Sequence, residues 1–288
     1  MSKEKYISIE EAMKKGKGEV AVHGWIYRER GSNKIKFLVL RDATNIIQCV
    51  LEKNKFEKQW DEIDKLQIEA SVEIEGEIKE DKRAPSGFEI NASQINIVGL
   101  SDSFPINKDL NEELLGDRRH LWLRSRKMQA ILKIRSTVIG ALHEYFRSKD
   151  FYEFQSPILI PGGAEEGPTM FEVKYFDKKM YLAQTWQLYA EAAMYSLEKI
   201  YCVAPSFRAE KSKTSRHLTE YWHTEMEVAW AKLDDLINYA EEMVKHVFKN
   251  VLEKNKAELE LLGRDTKKLE PILKKKFLRV TYDNVLKE

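Results

Sequence analysis

Five segments between Glu19 and Leu100 alternate apolar and polar residues with a period of two: EVAVHGWIYRER, KIKFLVLRDA, NIIQCVLEK, LQIEASVEIEGEIKE and FEINASQINIVGL. Each is bounded by Gly, Asn, Asp or Pro, which turn or interrupt a strand. A period of two puts one face of every strand into a core and the other into solvent. FEKQWDEIDK, between the third and fourth segments, has the charge and spacing of one short helix. Few folds accept five short strands in this arrangement, and all of them wrap the strands into a small barrel or a sandwich.

Five strands with a helix after the third match the order of the OB-fold, a small Greek-key barrel. Any small β-barrel or sandwich satisfies the same alternation. Beyond Leu100 the rhythm changes. SDSFPINKDLNEELLGDRRH reads as a linker, and RKMQAILKIRSTVIGALHEYFRSKD sets Ile131, Ile134, Val138, Leu142 and Tyr145 at helical spacing. FYEFQSPILI reads as a short strand whose Pro157 suits an edge or an interface. FEVKYFDKKMYLAQ reads as a hairpin and QLYAEAAMYSLEK as a helix. KIYCVAPSFRAE and YWHTEMEVAW read as long strands, and Leu233 to Leu252 as an amphipathic helix. Strands mixed with helices, without strict alternation, predict an α+β domain on an antiparallel sheet. The chain is therefore multidomain, with expected boundaries of 1–102, 103–126 and 127–288.

Apolar residues make up 43% of the chain and charged ones 33%, which excludes wholesale disorder. No run of about 18 apolar residues is present, so a membrane span is not expected. The charged opening MSKEKYISIEEAMKKGKG lacks a secretory core, and Cys49 and Cys202 stand alone in apolar runs. These features predict a cytoplasmic protein with reduced thiols. A net charge of +1 argues against coating nucleic acid by bulk electrostatics. It leaves open RNA binding through a local basic face or stacked bases.

SFRAEKSKTSRHLTEYWHTEME carries charge into strand-like sequence on both sides of its turn. Strand parity sets Arg208 and Glu210 with Ser206 and Ala204. It sets His223, Glu225 and Glu227 on one face, against Trp222, Met226, Val228 and Trp230 on the other. A solvated face laced by cross-strand ion pairs would give the same pattern. QTWQLY, with Gln184 and Gln187, and EEGPTMF, with Glu166, add polar groups that suit an α-amino acid. Carboxylates would take its ammonium, and Arg208 would take a phosphate or carboxylate in bidentate fashion. His223-Thr-Glu225 has no second His/Cys cluster to complete a metal site, so no protein-held metal is expected.

FRAE, the basic loop, RHLTEYWHTEMEVAW and the preceding QTWQLYAEA closely resemble the catalytic domain of class II aminoacyl-tRNA synthetases, and within it the asparaginyl group. Arg208 to Glu227 resembles the family's motif 2. The long helix and Pro157 resemble the dimer-forming motif 1, LGDRRHLWLRS resembles the hinge, and the N-terminal strands resemble the anticodon-binding OB domain. The resemblance implies an asparagine–tRNA ligase that forms asparaginyl-adenylate from L-asparagine and ATP with Mg²⁺, then charges tRNA(Asn), as a homodimer. It implies that Arg208 holds the α-phosphate and stabilises charge in the transfer. Glu210 and Tyr221 would take the adenine, and Arg216 and His217 the terminal phosphates. Glu166 and Gln187 would take the ammonium, Glu225 would accept the side-chain amide, and Gln184 would belong to the same pocket. Ala190 replaces a lysine that aspartyl relatives use for the substrate carboxylate, which favours asparagine. In the OB domain, Phe37 would stack an anticodon base, Gln48 would read the central uridine, and Arg28 would touch a phosphate or base. Phe37 in a barrel core and Gln48 on a plain surface are the bland alternatives.

The glycine-rich motif 3, with its Glu-Arg pair, is absent from the sequence. The expectation is therefore little or no aminoacylation by this chain alone, and an exposed sheet edge. A tRNA-binding paralogue, an aspartyl-like enzyme and an amidating paralogue remain as alternatives.

Overall fold

The computed structural model describes residues 5–106, 111–163, 170–211, 214 and 216–287. The chain forms two compact units, Met1–Leu123 and Arg124–Glu288.

The first unit opens with helix α1 (Ile9–Lys15). The Ser8 hydroxyl accepts the Glu11 N–H, and the Glu11 carboxylate accepts the Ser8 N–H, a reciprocal cap. Gly16 ends the helix at φ 70°, a conformation that costs glycine nothing. Strands β1 (Gly18–Gly31), β2 (Ile35–Arg41) and β3 (Ile46–Glu52) follow. Helix α2 (Trp60–Asp64) precedes β4 (Ser71–Glu80) and β5 (Phe88–Gly99). The strands close in the order β1-β2-β3-β5-β4, the OB-fold arrangement, which leaves no free sheet edge. Val22, Ile26, Leu38, Leu40, Ile47, Cys49, Leu51 and Ile74 fill the interior, with Trp60 and Ile63 of α2 joined to the same core. Closure brings backbones close: a Cβ on Gly76 would stand 2.2 Å from the Asn91 carbonyl oxygen. β4 begins at Ser71, later than the alternation suggests, because Leu66–Ala70 form a turn with Glu69 at φ 73°. The stretch read as a linker holds two short helices, α3 (Glu112–Asp117) and α4 (Arg119–Trp122).

A bulge between Ile26 and Arg28 shifts the β1–β2 register by one residue. Without it, Arg28 and Arg30 would follow Val22 and Ile26 into the core. With it, Arg28 pairs with Val39 and Arg30 with Phe37, on the outer face.

The second unit begins with α5 (Arg126–Ser148), capped by the Ser125 hydroxyl. Strands β6 (Tyr152–Glu153), β7 (Leu159–Ile160), β8 (Glu172–Tyr175) and β9 (Lys178–Leu182) follow. Helix α6 (Gln187–Leu197) leads into β10 (Lys199–Phe207) and β11 (Glu220–Val228). Helices α7 (Leu233–Lys254), α8 (Lys256–Leu261) and α9 (Glu270–Lys274) come next. One sheet has the order β11-β10-β6 and the other β7-β9-β8. FYEFQSPILI is thus two strands in different sheets. Phe154 makes the last bond to β10, donating its N–H to the Tyr201 carbonyl at 3.0 Å. Pro157, which has no N–H, lies in the break.

Both faces of the β10–β11 pair are packed. Tyr201 and Val203, with Met226 and Val228, meet Tyr145 and Phe146 of α5 and Tyr239 and Met243 of α7. Phe146 stacks on Tyr201 at 4.5 Å. Ile200 and Cys202 meet Trp186 and Ala190 at the start of α6. Two members of the expected packing set stay outside: Trp222 is 52% exposed and Trp230 91%. Among the described residues, the outer edge of β11 has no partner strand.

Candidate active site

In the β10–β11 ladder, Cys202 pairs with Glu225, Ala204 with His223 and Ser206 with Tyr221. Antiparallel partners share a face, so these side chains point where α6 begins. The Thr185 hydroxyl donates to one Glu225 oxygen, and the Trp186 N–H donates to the other at 3.3 Å. The Gln187 N–H donates to the Thr185 hydroxyl oxygen at 3.1 Å. The opening turn of α6 is thereby satisfied partly from within and partly by a carboxylate on another strand. His223 Nδ1 stands 3.2 Å from the same carboxylate. Burial opposes ionisation of Glu225, but His223, Thr185 and the Trp186 N–H together outweigh it and hold the carboxyl below its ordinary value. Glu227 goes the other way: burial, then the nearby Glu191 and Glu225 carboxylates, push it up. Burial also pushes the Cys202 thiol up to about 12, which suits a packing residue and not a nucleophile.

A cleft of about 490 Å³ opens beside this cluster, lined by Ile160, Gly163, Gln184, Thr185, Leu188 and Tyr189 among others. Gln184 is buried, and its backbone carbonyl accepts the Ser206 hydroxyl at 2.6 Å. Gln187 is exposed and donates to Glu191 at 2.9 Å. Ala190 is wholly buried against the sheet, away from the cleft lining.

β10 ends at Phe207, so strand parity does not reach Arg208 and Glu210. Arg208 continues the hairpin by donating its N–H to the Thr219 carbonyl at 3.0 Å, and its side chain is exposed. Glu210, Arg216 and His217 are exposed in the connecting loop, where His217 Nδ1 meets the Thr214 hydroxyl. Tyr221 is half-buried, its ring 5.4 Å from that of His223. Glu166 lies outside the described residues. Sequence reasoning gave no role to Thr185, the Trp186 N–H or His223. A threonine just ahead of a helix was the available signal for the first.

The barrel carries a second assembly. Arg28, Val39, Gln48, Glu89 and Lys79 form one row across five strands by direct pairing. Gln48 is only 4% exposed: its Nε2 donates to Glu89 at 3.0 Å and its Oε1 accepts Arg30 at 3.2 Å. Lys79 pairs with the other Glu89 oxygen at 3.1 Å. Phe37 sits half-buried on the outer face, with the Arg30 guanidinium 4.9 Å over its ring. It is therefore no barrel-core residue. Arg28 is exposed, 5.3 Å over the Tyr27 ring. Arg30 was missed because the bulge that turns it outward leaves no mark in the sequence, and Glu89 because its parallel pairing with Gln48 joins distant strands.

Residues 111–288 match the family model of class II tRNA synthetases (D, K and N), and residues 20–98 that of the OB-fold nucleic acid binding domain. The chain belongs to the class II tRNA synthetases. It is 44% identical over 270 residues to the asparagine–tRNA ligase of Thermoplasma acidophilum, covering 93% of this chain and 63% of that enzyme. It is 41% identical over 283 residues to the Lactobacillus helveticus asparagine–tRNA ligase, covering 98% of this chain and 66% of that one. Among solved structures, the Pyrococcus horikoshii asparaginyl-tRNA synthetase complexed with asparaginyl-adenylate superposes with a TM-score of 0.91 at 39% identity. That match covers all of this synthetase chain and 67% of the Pyrococcus one. The asparaginyl resemblance read from the motifs therefore agrees with the relatives, and this chain spans about two thirds of their length.

Proposed function

We propose that this chain carries the asparagine-activating and anticodon-reading parts of an asparagine–tRNA ligase. The observation that carries the reading is Glu225, held ionised at the start of α6 beside the Gln184–Thr185 cleft. A fixed carboxylate accepts hydrogen bonds from an asparagine side-chain amide and repels an aspartate carboxylate at the same place. Kinship with asparagine–tRNA ligases supports the same choice.

In the proposed reaction, the asparagine carboxylate attacks the α-phosphorus of ATP and pyrophosphate leaves. The tRNA terminal hydroxyl then attacks the acyl carbon, and AMP leaves. Arg208 stabilises charge at the α-phosphate, while Arg216 and His217 approach the outer phosphates. Glu210 and Tyr221 hold the adenine. Gln184, Gln187 and Glu166 complete the amino-acid pocket, and Ala190, packed behind it against the sheet, stands in place of a cation. No covalent enzyme intermediate is needed, because two reactants held in line supply most of the rate. Mg²⁺ would travel with the ATP phosphates. On the barrel, Phe37, Gln48 and Arg28 read the anticodon of tRNA(Asn).

A homodimer would form through α5 and the Pro157 segment, where Ile131, Leu132 and Ile158 are exposed. No helix among the described residues is long and apolar enough to cross a membrane, and the proposed site of action is the cytoplasm.

Calorimetric titration with asparaginyl-sulfamoyl-adenosine, a stable mimic of the adenylate, tests the reading without turnover. Tight binding with the aspartyl analogue at least about tenfold weaker is expected. Equal affinities, or no binding of either, would refute it.

A further inference from the structure

Helix α9 and the chain around it carry an unusual concentration of charge. Seven of the chain's 48 cations and two of its 47 acids fall within 264–279, so this stretch carries +5 and the remainder −4. Lys267, Lys268, Lys274, Lys275 and Lys276 are all exposed. None of the five has an ion-pair partner among the described residues, whereas Lys133, Lys149 and Lys245 of the same unit pair with Glu258, Glu242 and Glu241.

The chain just after these lysines is anchored to α7. Arg279 binds Asp234 at 3.0 Å and Asn238 at 2.5 Å, both at the start of α7. The Phe277 N–H donates to Glu241 at 3.3 Å, and Lys245 lies 5.3 Å over the Phe277 ring. Asp234 and Glu241 of α7 are thus engaged by Arg279, the Phe277 N–H and Lys245. Ile272 and Leu273 of α9 are partly buried, whereas Lys274 at its end and the four lysines flanking it are exposed. Five exposed lysines without an ion-pair partner among the described residues, within ten residues of a protein of nearly neutral net charge, fit a polyanion better than they fit general solubility.

We propose that the Lys267–Lys276 segment is a phosphate-backbone contact for a double-helical RNA arm, separate from the proposed base-reading face of the barrel. It rests on the reading of this chain as a tRNA ligase for its choice of RNA, and adds a sequence-independent contact on the second unit. Phosphate contacts of this kind set affinity and register and leave the choice of sequence to the bases read elsewhere.

The test uses the 288-residue chain, fluorescence anisotropy, a full tRNA(Asn) transcript and a minihelix of its acceptor arm that lacks the anticodon. Changing all five lysines to Gln should weaken minihelix binding tenfold or more at low salt. Between about 50 and 200 mM salt, the slope of log K against log salt should fall by about 2–3, as about three lost phosphate contacts would give at ~0.9 each. The ratio of affinities for tRNA with native and altered anticodons should not change. Five Lys→Arg substitutions should retain binding, which separates charge loss from misfolding. Equal minihelix binding by wild type and the Gln variant would overturn the proposal. So would a loss confined to anionic phosphatidylserine vesicles. If wild type lacks anticodon preference yet minihelix binding is lost with the lysines, the ligase reading fails and the lysine contact stands.

Discussion

Glu225 on β11 accepts the Trp186 N–H at 3.3 Å, so a carboxylate 39 residues away in sequence completes the first turn of α6. The proposed selection of substrate and the start of this helix then share one side chain. Glu225→Gln keeps the shape and removes the charge that favours a helix amino terminus. It should lower stability by about 1–2 kcal/mol, since hydrogen bonds to a charged group are among the stronger ones. In thermal melts this should appear as a fall of about 3–6 °C. Because the Glu225 carboxyl is held below its ordinary 4.5, its contribution is present above that value and lost as pH falls through the folded-state one. The gap between wild type and variant should therefore be full near neutrality and close in acid. A gap independent of pH would show that the charge plays no part.

Arg208 stands just past the end of β10, with its backbone bonded to Thr219 and its guanidinium exposed. Its proposed partner is a phosphate, so Arg208→Ala should weaken the adenylate mimic about 10- to 100-fold, the range for one charge-assisted pair. Arg208→Lys should recover only part of this, because a point charge cannot grip two oxygens as the planar fork does. Full rescue by Lys, measured by calorimetry, would leave simple charge as the whole role.

The barrel was legible in the sequence because its five strands alternate cleanly, and strand parity placed His223 and Glu225 together. Three features were not legible, each for a physical reason. The bulge beside Tyr27 inserts one residue, with no compositional signal, and it alone decides that Arg30 faces Phe37. The break in FYEFQSPILI depends on which neighbouring strands compete for the backbone on either side of Pro157. In α5 the apolar stripe predicted Ile131 inside, yet it is 37% exposed while Ala141 and Phe146 are buried. Periodicity marks an apolar face without saying whether the chain's own core covers it.

Gln48 has its amide orientation fixed from two sides, by Glu89 on its nitrogen and Arg30 on its oxygen. The second N–H and lone pair, which the proposed reading assigns to a base edge, then stand in a set order. Glu89→Gln removes the acceptor that fixes this order. Discrimination among anticodon stem-loops carrying different central bases should fall by about tenfold, as the loss of one oriented hydrogen bond implies. Phe37→Ala should instead weaken all the stem-loops together, by about 1 to 3 kcal/mol of stacking. Anisotropy titrations that gave both variants the same profile would dismiss the division of labour.

Glu227 is pushed up by burial and by two neighbouring carboxylates, so its ionised form destabilises the fold. A raised folded-state value means that stability is gained as pH falls through it toward the unfolded value, and is lacking above it. Glu227→Gln should therefore raise the melting temperature near neutrality, by about 1–2 °C given its partial exposure. The gain should vanish in acid, where the wild-type carboxyl is already protonated. A melt series showing a loss at neutral pH would mean that Glu227 has a cationic partner.

Ala190 separates bulk from charge. It is wholly buried between α6 and β10, so any longer side chain there must displace packed neighbours, at about 1–3 kcal/mol. Ala190→Met and Ala190→Lys should both lower the melting temperature by several degrees. Only the lysine adds a cation near Glu225 and Glu227, where on the proposed reading it would offset the carboxylate proposed to reject aspartate. The ratio of affinities for the asparaginyl and aspartyl adenylate mimics should shift toward aspartyl in Ala190→Lys and stay put in Ala190→Met. If both variants shift the ratio equally, the position acts through packing of α6 alone, and the charge of Glu225 selects the substrate without help from residue 190.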